Sequence, residues 1–320
     1  MEILKELSNL GIIPVVKIND AKKAVPLAKA LAAGGLNAAE ITFRTDAAEE
    51  AIRNIANECP DMLVGAGTVL TTEQAQRAMD AGAKFIVSPG FNPKVVSWCL
   101  ENDIIPTPGC TSPTEIEQAL ELGLKVVKFF PAEQSGGIDK IKALSAPYGN
   151  LKFIPTGGIG LDNLTTYITN KKILACGGSF MVKEEYIENG EWDKITELTK
   201  KAVSIMLGFE IGHLGVNTAD ATESAAAAAK FAKAFGGLET SEGNSSFWAG
   251  KIIEIMKGKG RGVNGHIAIK TNSVDRAVYH LKAQGIEFDE SSALYNADGT
   301  MKVIFFKDEI AGFALHLLQK

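Results

Sequence analysis

Cysteine and histidine are scarce in this chain, and neither a long apolar run nor a basic tract occurs. The four cysteines, Cys59, Cys99, Cys110 and Cys176, are scattered without CxxC spacing, so no disulfide framework is implied and a reducing compartment fits. No apolar run approaches the ~20 residues of a membrane span, and residues 1–19 lack the basic, apolar and small-residue order of a secretory signal. The expectation is a soluble, cytoplasmic protein with no membrane partner. Basic clusters with interleaved aromatics are missing and the formal charge is a mild -5, which argues against nucleic acid as a partner. Histidine numbers four, and none precedes His213. The first two-thirds of the chain must therefore move protons with carboxylates, lysines or hydroxyls.

What is present is the composition of a large globular protein, with 46% apolar and 22% charged residues over 320 positions. That length allows two domains, or one barrel with an appendage. Up to about residue 207, short apolar strands alternate with amphipathic helical stretches. The strands read "IIPVVKI", "AAEITFR", "MLVGAGTV", "KFIVSPG", "IIPTPGC", "VVKFFPA", "KFIPTGGI" and "ILACGGSFMV". Between them lie segments such as "TTEQAQRAMDAG" and "SPTEIEQALELG", which open on a Thr or Ser cap and close on Gly. Eight successive βα units in about 200 residues predict a (β/α)8 TIM barrel over residues 1–207, with a doubly wound sheet as the alternative. In a barrel, the strand ends at Lys17, Arg44, Thr68, Pro89, Thr107, Lys128, Thr156 and Ser179 converge on the face where active sites are built.

From about residue 209 the pattern changes. "GHLGVNTADATESAAAAAKFAKAFGG" and "GHIAIKTNSVDRAVYHLKAQGI" each give a strand opening on Gly-His, a turn, a helix and a glycine, and strand-like segments follow each copy. This internal repeat predicts a smaller α+β domain over residues 208–320, built from two tandem βαβββ modules. No Pro-rich or Ser-rich linker marks the junction near Leu207.

The chemistry gathers at "KVVKFFPA". On a pleated strand Val126, Lys128 and Phe130 share one face, so Lys128 points inward at the predicted barrel mouth. Lys84, Lys125 and Lys152 sit at strand starts, and only Lys17 competes. The same parity brings Glu40, Thr42 and Arg44 up one wall. An amine there can attack a ketone and form a Schiff base, and a nearby carboxylate suits the proton shuttle such an imine needs. A plain Glu40 salt bridge to Arg44 or Lys128 is the structural alternative. "PTGGI" and "CGGSF" place paired glycines and Ser179 at two adjacent strand ends, a common phosphate location in barrels. The expected substrate is an anionic keto acid with a distal phosphate or carboxylate.

The series "AEITFRT", "GAGTV", "SPG", "TPG", "KFFPA", "PTGGI" and "GGSF", in this order, resembles the 2-keto-3-deoxy-6-phosphogluconate / 2-keto-4-hydroxyglutarate aldolases, class I pyruvate aldolases, over about residues 1–207. The resemblance implies Lys128 as the Schiff-base lysine and Glu40 as the acid/base. It implies Arg44 and Thr68 at the pyruvate carboxylate, Pro89 and Phe130 as pocket walls, and Gly158, Gly178 and Ser179 at the distal phosphate. It implies no metal or organic cofactor in the barrel, and a trimer. The family usually has Leu where this chain has Phe43 and Trp where it has Phe180.

The paired βαβββ repeat resembles the vicinal oxygen chelate superfamily, which includes glyoxalase I and extradiol dioxygenases. That resemblance implies a divalent metal, Zn, Ni, Fe or Mn, held by His213 and Glu254 of the first copy and His266 and His316 of the second. A glutamate is more usual at the position of His316. The whole reads as an aldolase barrel fused to a glyoxalase-like domain. Two rival functions stay open: a metal-dependent lyase or isomerase in the C-terminal half, and a protein that merely binds an anion.

Overall fold

A computed structural model describes residues 2–320. Two compact units divide the chain, one ending at Met206 and the other spanning Leu207–Lys320. Among the described residues no helix is long and apolar enough to cross a membrane.

The first unit has eight short strands: β1 Ile12–Val16, β2 Ala38–Thr42, β3 Leu63–Gly67, β4 Phe85–Val87, β5 Ile105–Thr107, β6 Val126–Phe129, β7 Lys152–Pro155 and β8 Cys176–Gly178. Six of them form a curled parallel sheet in the order β5-β4-β3-β2-β1-β8, and β6 and β7 pair separately. Single parallel bridges, Gly109↔Lys128 and Thr156↔Gly177, tie that pair to the residues after β5 and to β8. The order is sequential with β8 beside β1, which excludes the doubly wound alternative, whose strand order reverses at a switch point. Strands β2 and β3 are buried at every position, as expected of parallel strands covered on both faces.

The intervening helices start where the sequence supplies a cap. Ser112 accepts from the Glu115 N–H at 3.4 Å while the Glu115 carboxylate accepts from the Ser112 N–H at 2.9 Å, a reciprocal box ahead of Pro113–Glu121. Thr71 accepts from the Gln74 N–H ahead of Thr72–Asp80. Fully buried Phe85, Phe129 and Phe153 fill the core.

Two strands stop short of their expected ends. Strand β2 closes at Thr42, because the Arg44 N–H donates to the Thr42 carbonyl at 2.7 Å and turns the chain. Strand β6 closes at Phe129, so alternation along the pleat accounts for Val126 and Lys128 but not for Phe130.

The second unit runs β9 Glu210–Val216, helix Ala221–Ala234, β10 Thr240–Glu242, β11 Ser246–Ala249 and β12 Ile253–Met256. It then repeats as β13 Gly265–Thr271, helix Val274–Ala283, β14 Phe288–Tyr295, β15 Met301–Phe306 and β16 Phe313–Gln319. All eight strands form one mixed sheet in the order β10-β11-β12-β9-β13-β16-β15-β14. Strand β12 runs parallel to β9, β16 runs parallel to β13, and β9 and β13 meet antiparallel at the centre. The order is the same read outward from that seam in either direction, so each module contributes its first strand to the middle.

Glycine at Gly65 is a packing requirement: a Cβ there would lie 2.4 Å from the Phe85 ring. Gly65→Ala is therefore expected to destabilise the chain by about 1–3 kcal/mol, the usual effect of overpacking, seen as a lowered midpoint in denaturant. An unchanged midpoint would mean that Phe85 has room to move.

Candidate active site

Lys128 and Glu40 are both buried, at 5% and 2% exposure, and the Lys128 Nζ lies 3.3 Å from the Glu40 Oε1. Strand β6 supplies the lysine and β2 the carboxylate. The Glu40 carboxylate reaches the lysine by lying across β3, where a Cβ on Gly67 would sit 2.1 Å from the Glu40 Oε1. Glycine in "GAGTV" thus opens the space the carboxylate occupies. On its other side the Lys128 Nζ stands 5.3 Å from the centre of the Phe130 ring, an arrangement in which the ring face attracts the ammonium. Lys17 is engaged elsewhere. Its Nζ binds Glu184 at 2.8 Å in a part-exposed ion pair, and that hydrogen bond holds the Glu184 carboxyl below its usual range.

The other expected residues lie at the ends of the strands and in the turns that follow them. Arg44 is exposed and its Nε donates to the Thr42 Oγ1 at 3.0 Å, while that hydroxyl donates to the Val16 carbonyl at 2.7 Å. Thr68 follows Gly67 directly and has φ +58, a left-handed conformation rare for a β-branched residue. Pro89 is half-buried at the end of β4, its carbonyl packed where a Gly109 Cβ would stand. Gly157 and Gly158 have φ of +100 and +77. The turn is fixed by Asn163, which donates to the Gly158 carbonyl and accepts from the Gly160 N–H. The Thr156↔Gly177 bridge brings the second glycine pair alongside. There Gly178 is buried against the Phe180 ring and Ser179 is exposed.

Two features escape sequence reasoning. Thr156 is buried, and among the described residues its Oγ1 has no hydrogen-bond partner. The motif "PTGGI" draws attention to its glycines, and a missing partner is visible only in three dimensions. Tyr167 donates to Glu133, whose side chain fills the space a Gly158 Cβ would take. Burial first, and then the Glu133 carboxylate, push the Tyr167 hydroxyl well above its usual range, so it stays a donor. The thiol of Cys110, whose backbone N–H donates to the Lys128 carbonyl at 2.8 Å, is pushed up to about 12 by burial and by Glu115, which leaves it inert as a nucleophile.

In the second unit His213, Glu254, His266 and His316 converge beside the β9/β13 seam. The Glu254 Oε2 lies 3.3 Å from the His213 Nε2 and 3.1 Å from the His266 Nε2, and those two nitrogens are 3.2 Å apart. A donor nitrogen from each of the three histidines lies within 4.8 Å of the others. Burial and the neighbouring His213 and His266 lower His316 to about 3, so it is a neutral imidazole, and its Nδ1 is buried without a partner. Burial alone would raise the Glu254 carboxyl, but hydrogen bonds to His213, His266 and Ser246 outweigh it and hold the group ionised. Three imidazoles and one carboxylate with converging lone pairs, one of them orphaned, fit a divalent cation. Gly215 makes the cluster feasible, since a Cβ there would sit 1.9 Å from the His266 Cε1.

A buried amine against a buried carboxylate, carried on parallel strands, is compatible with chemistry through a lysine imine. The model of the aldolase family KDPG and KHG aldolase matches residues 3–198, and the chain belongs to that family. It is a class I, Schiff-base aldolase. It is 51% identical over 204 residues to the 2-dehydro-3-deoxy-phosphogluconate aldolase of Treponema pallidum, covering 64% of this chain and 97% of that protein. It is 41% identical over 192 residues to the KHG/KDPG aldolase of Escherichia coli, covering 60% of this chain and 90% of that one. Among solved structures, the KDPG aldolase of Legionella pneumophila, with pyruvate captured as a covalent carbinolamine, matches with a TM-score of 0.61 at 38% identity, covering 62% of this chain and 97% of that one. The chain extends beyond these relatives through its second unit.

The Thr68 backbone supplies a test of what the turn is for. Thr68→Gly is expected to raise stability by about 1 kcal/mol, as relief of the left-handed strain exceeds the entropy lost to glycine. The thermal midpoint checks this; a lower midpoint would show that the turn is held by contacts of the threonine itself.

Proposed function

We propose that the first unit is a closed (β/α)8 barrel, its ring completed through the two single bridges, and that it reversibly cleaves a 2-keto-4-hydroxy acid to pyruvate and an aldehyde. The substrate we assign is 2-keto-3-deoxy-6-phosphogluconate, 2-keto-4-hydroxyglutarate or both, in a cytoplasmic trimer. The observation that carries this reading is the buried Lys128–Glu40 contact at 3.3 Å. Lys128 attacks the C2 carbonyl after its ammonium proton passes to Glu40, the acceptor within reach. Glu40 returns that proton to the carbinolamine hydroxyl, which leaves as water to give the protonated imine and a Glu40 carboxylate again. Glu40 then removes the C4 hydroxyl proton, the C3–C4 bond breaks, and its electron pair moves into the imine to leave an enamine. The aldehyde departs, C3 is reprotonated, and water hydrolyses the imine to release pyruvate. Arg44 and Thr68 hold the keto-acid carboxylate, Pro89 and Phe130 wall the pocket, and Gly158, Gly178 and Ser179 receive the distal anion.

Borohydride reduction in the presence of pyruvate should leave a stable adduct on the peptide containing "VVKFFPA", lost in Lys128→Met and retained in Lys17→Met. An adduct on Lys17 would overturn the assignment.

The histidine cluster supports a second reading for the other unit. We infer that residues 208–320 form a vicinal oxygen chelate-like domain in which His213, Glu254, His266 and His316 hold one divalent ion, Zn, Ni, Fe or Mn. Such an ion polarises an oxygen of whatever ligand it meets. The barrel chemistry uses the imine as its electron sink and does not call on it. Elemental analysis of the full chain should find the ion, His213→Ala should lose it, and aldol cleavage should persist after chelation. A chain that takes up no divalent metal, or cleavage abolished by chelation, would contradict this.

A further inference from the structure

Beside the histidine cluster, on the same face of the sheet, lies a cavity of about 350 Å³. His213 lines it, and so do Trp248, Ser241, Lys251 and Lys270. The charge is all of one sign. Two lysines and no carboxylate line the cavity. Among the described residues neither lysine has a salt-bridge partner.

The backbone places these groups deliberately. The pairing of β9 with β13 shifts between Ala268 and Ile269, so that His213 pairs with Ala268 but Ile211 pairs with Ile269, leaving Gly212 as the extra residue. A Cβ on Gly212 would lie 3.1 Å from the Lys270 Cγ and 3.3 Å from the Ala268 Cβ. With glycine there, the half-buried Lys270 stem lies against β9, and the residue lines the cavity. Trp248 meets the His213 ring edge-on, with centroids 5.1 Å apart at 79°. It fixes that ring and offers an apolar wall. A volume of this size, with one apolar wall and a few convergent polar groups, suits a small molecule.

We propose that this cavity binds a small 2-hydroxy or 2-oxo carboxylate, its carboxylate at Lys270 and Lys251 and its adjacent oxygen toward His213. The lysine half stands on the cavity alone; the oxygen half rests on the metal reading above. The arrangement gives a carboxylate two charge-assisted donors with no competing acid, and it places the neighbouring oxygen at the cluster, which a bare phosphate would not need.

The test uses the full chain carrying Trp98→Phe and Trp192→Phe, so that Trp248, one of three tryptophans, is the sole reporter. Glycolate is the probe because it has no ketone to form an imine in the barrel. Ethylene glycol is its uncharged counterpart, and inorganic phosphate is the competing anion. Each is titrated with added Zn and again after chelation. Glycolate should change the Trp248 emission saturably while ethylene glycol does not, and Lys270→Met should weaken glycolate by about 10- to 100-fold, the loss of one charge-assisted hydrogen bond. Residual glycolate binding after chelation, still sensitive to Lys270→Met, supports the lysine half even if no metal is ever found. Equal responses to glycolate and ethylene glycol, an unchanged affinity in Lys270→Met, or saturation by phosphate alone would overturn the proposal, and each can occur with the metal bound. If the tryptophan replacements fail to fold, calorimetric titration of the otherwise unaltered chain and of Lys270→Met with glycolate gives the same comparison.

Discussion

The first unit is organised around one costly contact, an ammonium and a carboxylate buried together. Taking two charges out of water costs several kcal/mol each, and their attraction offsets this only when the geometry is held. Removing one partner typically costs about 3–5 kcal/mol, because the other is left buried and uncompensated. Lys128 and Glu40 therefore need a frame that keeps them at 3.3 Å, and the parallel strands β2, β3 and β6 each contribute one part of it. A fold that needed only stability would do as well with apolar residues at those positions. In the proposed reaction the pair serves as nucleophile and proton acceptor.

Both units seat their polar groups by the same device. A side chain from one strand lies across the neighbouring strand at a glycine, Glu40 over Gly67 in the first unit and His266 over Gly215 in the second. In each case a β-carbon would come within about 2 Å of the functional group, closer than real contacts allow. Backbone without a side chain is the only surface flat enough to accept a carboxylate or an imidazole pressed against it. Gly212 extends the same logic to Lys270.

Much of this was legible in the sequence because period and punctuation carry it. Eight apolar strands with capped helices between them predict the parallel sheet of the first unit, and the repeated Gly-His openings predict the paired modules whose strands β9 and β13 meet at the centre. Lys128 and Glu40 were legible together, since parity and strand position converge on one face. Parity failed at strand ends. Arg44 and Phe130 lie beyond the last residues of β2 and β6, where alternation along the pleat no longer aims the side chain. The orphaned Thr156 hydroxyl, the Glu133–Tyr167 contact and the one-signed cavity depend on residues distant in the chain, and local pattern does not encode them.

The central claim is that Glu40 moves protons at an imine formed on Lys128. Proton NMR of pyruvate in D2O measures this directly, because each enamine cycle exchanges the methyl hydrogens for deuterium. In Glu40→Gln, exchange should slow by about 10²–10⁴-fold, the usual contribution of a positioned acid/base, while borohydride still captures pyruvate on Lys128. Exchange at the unaltered rate, with capture intact, would show that another group moves the proton and that Glu40 serves only to neutralise the lysine.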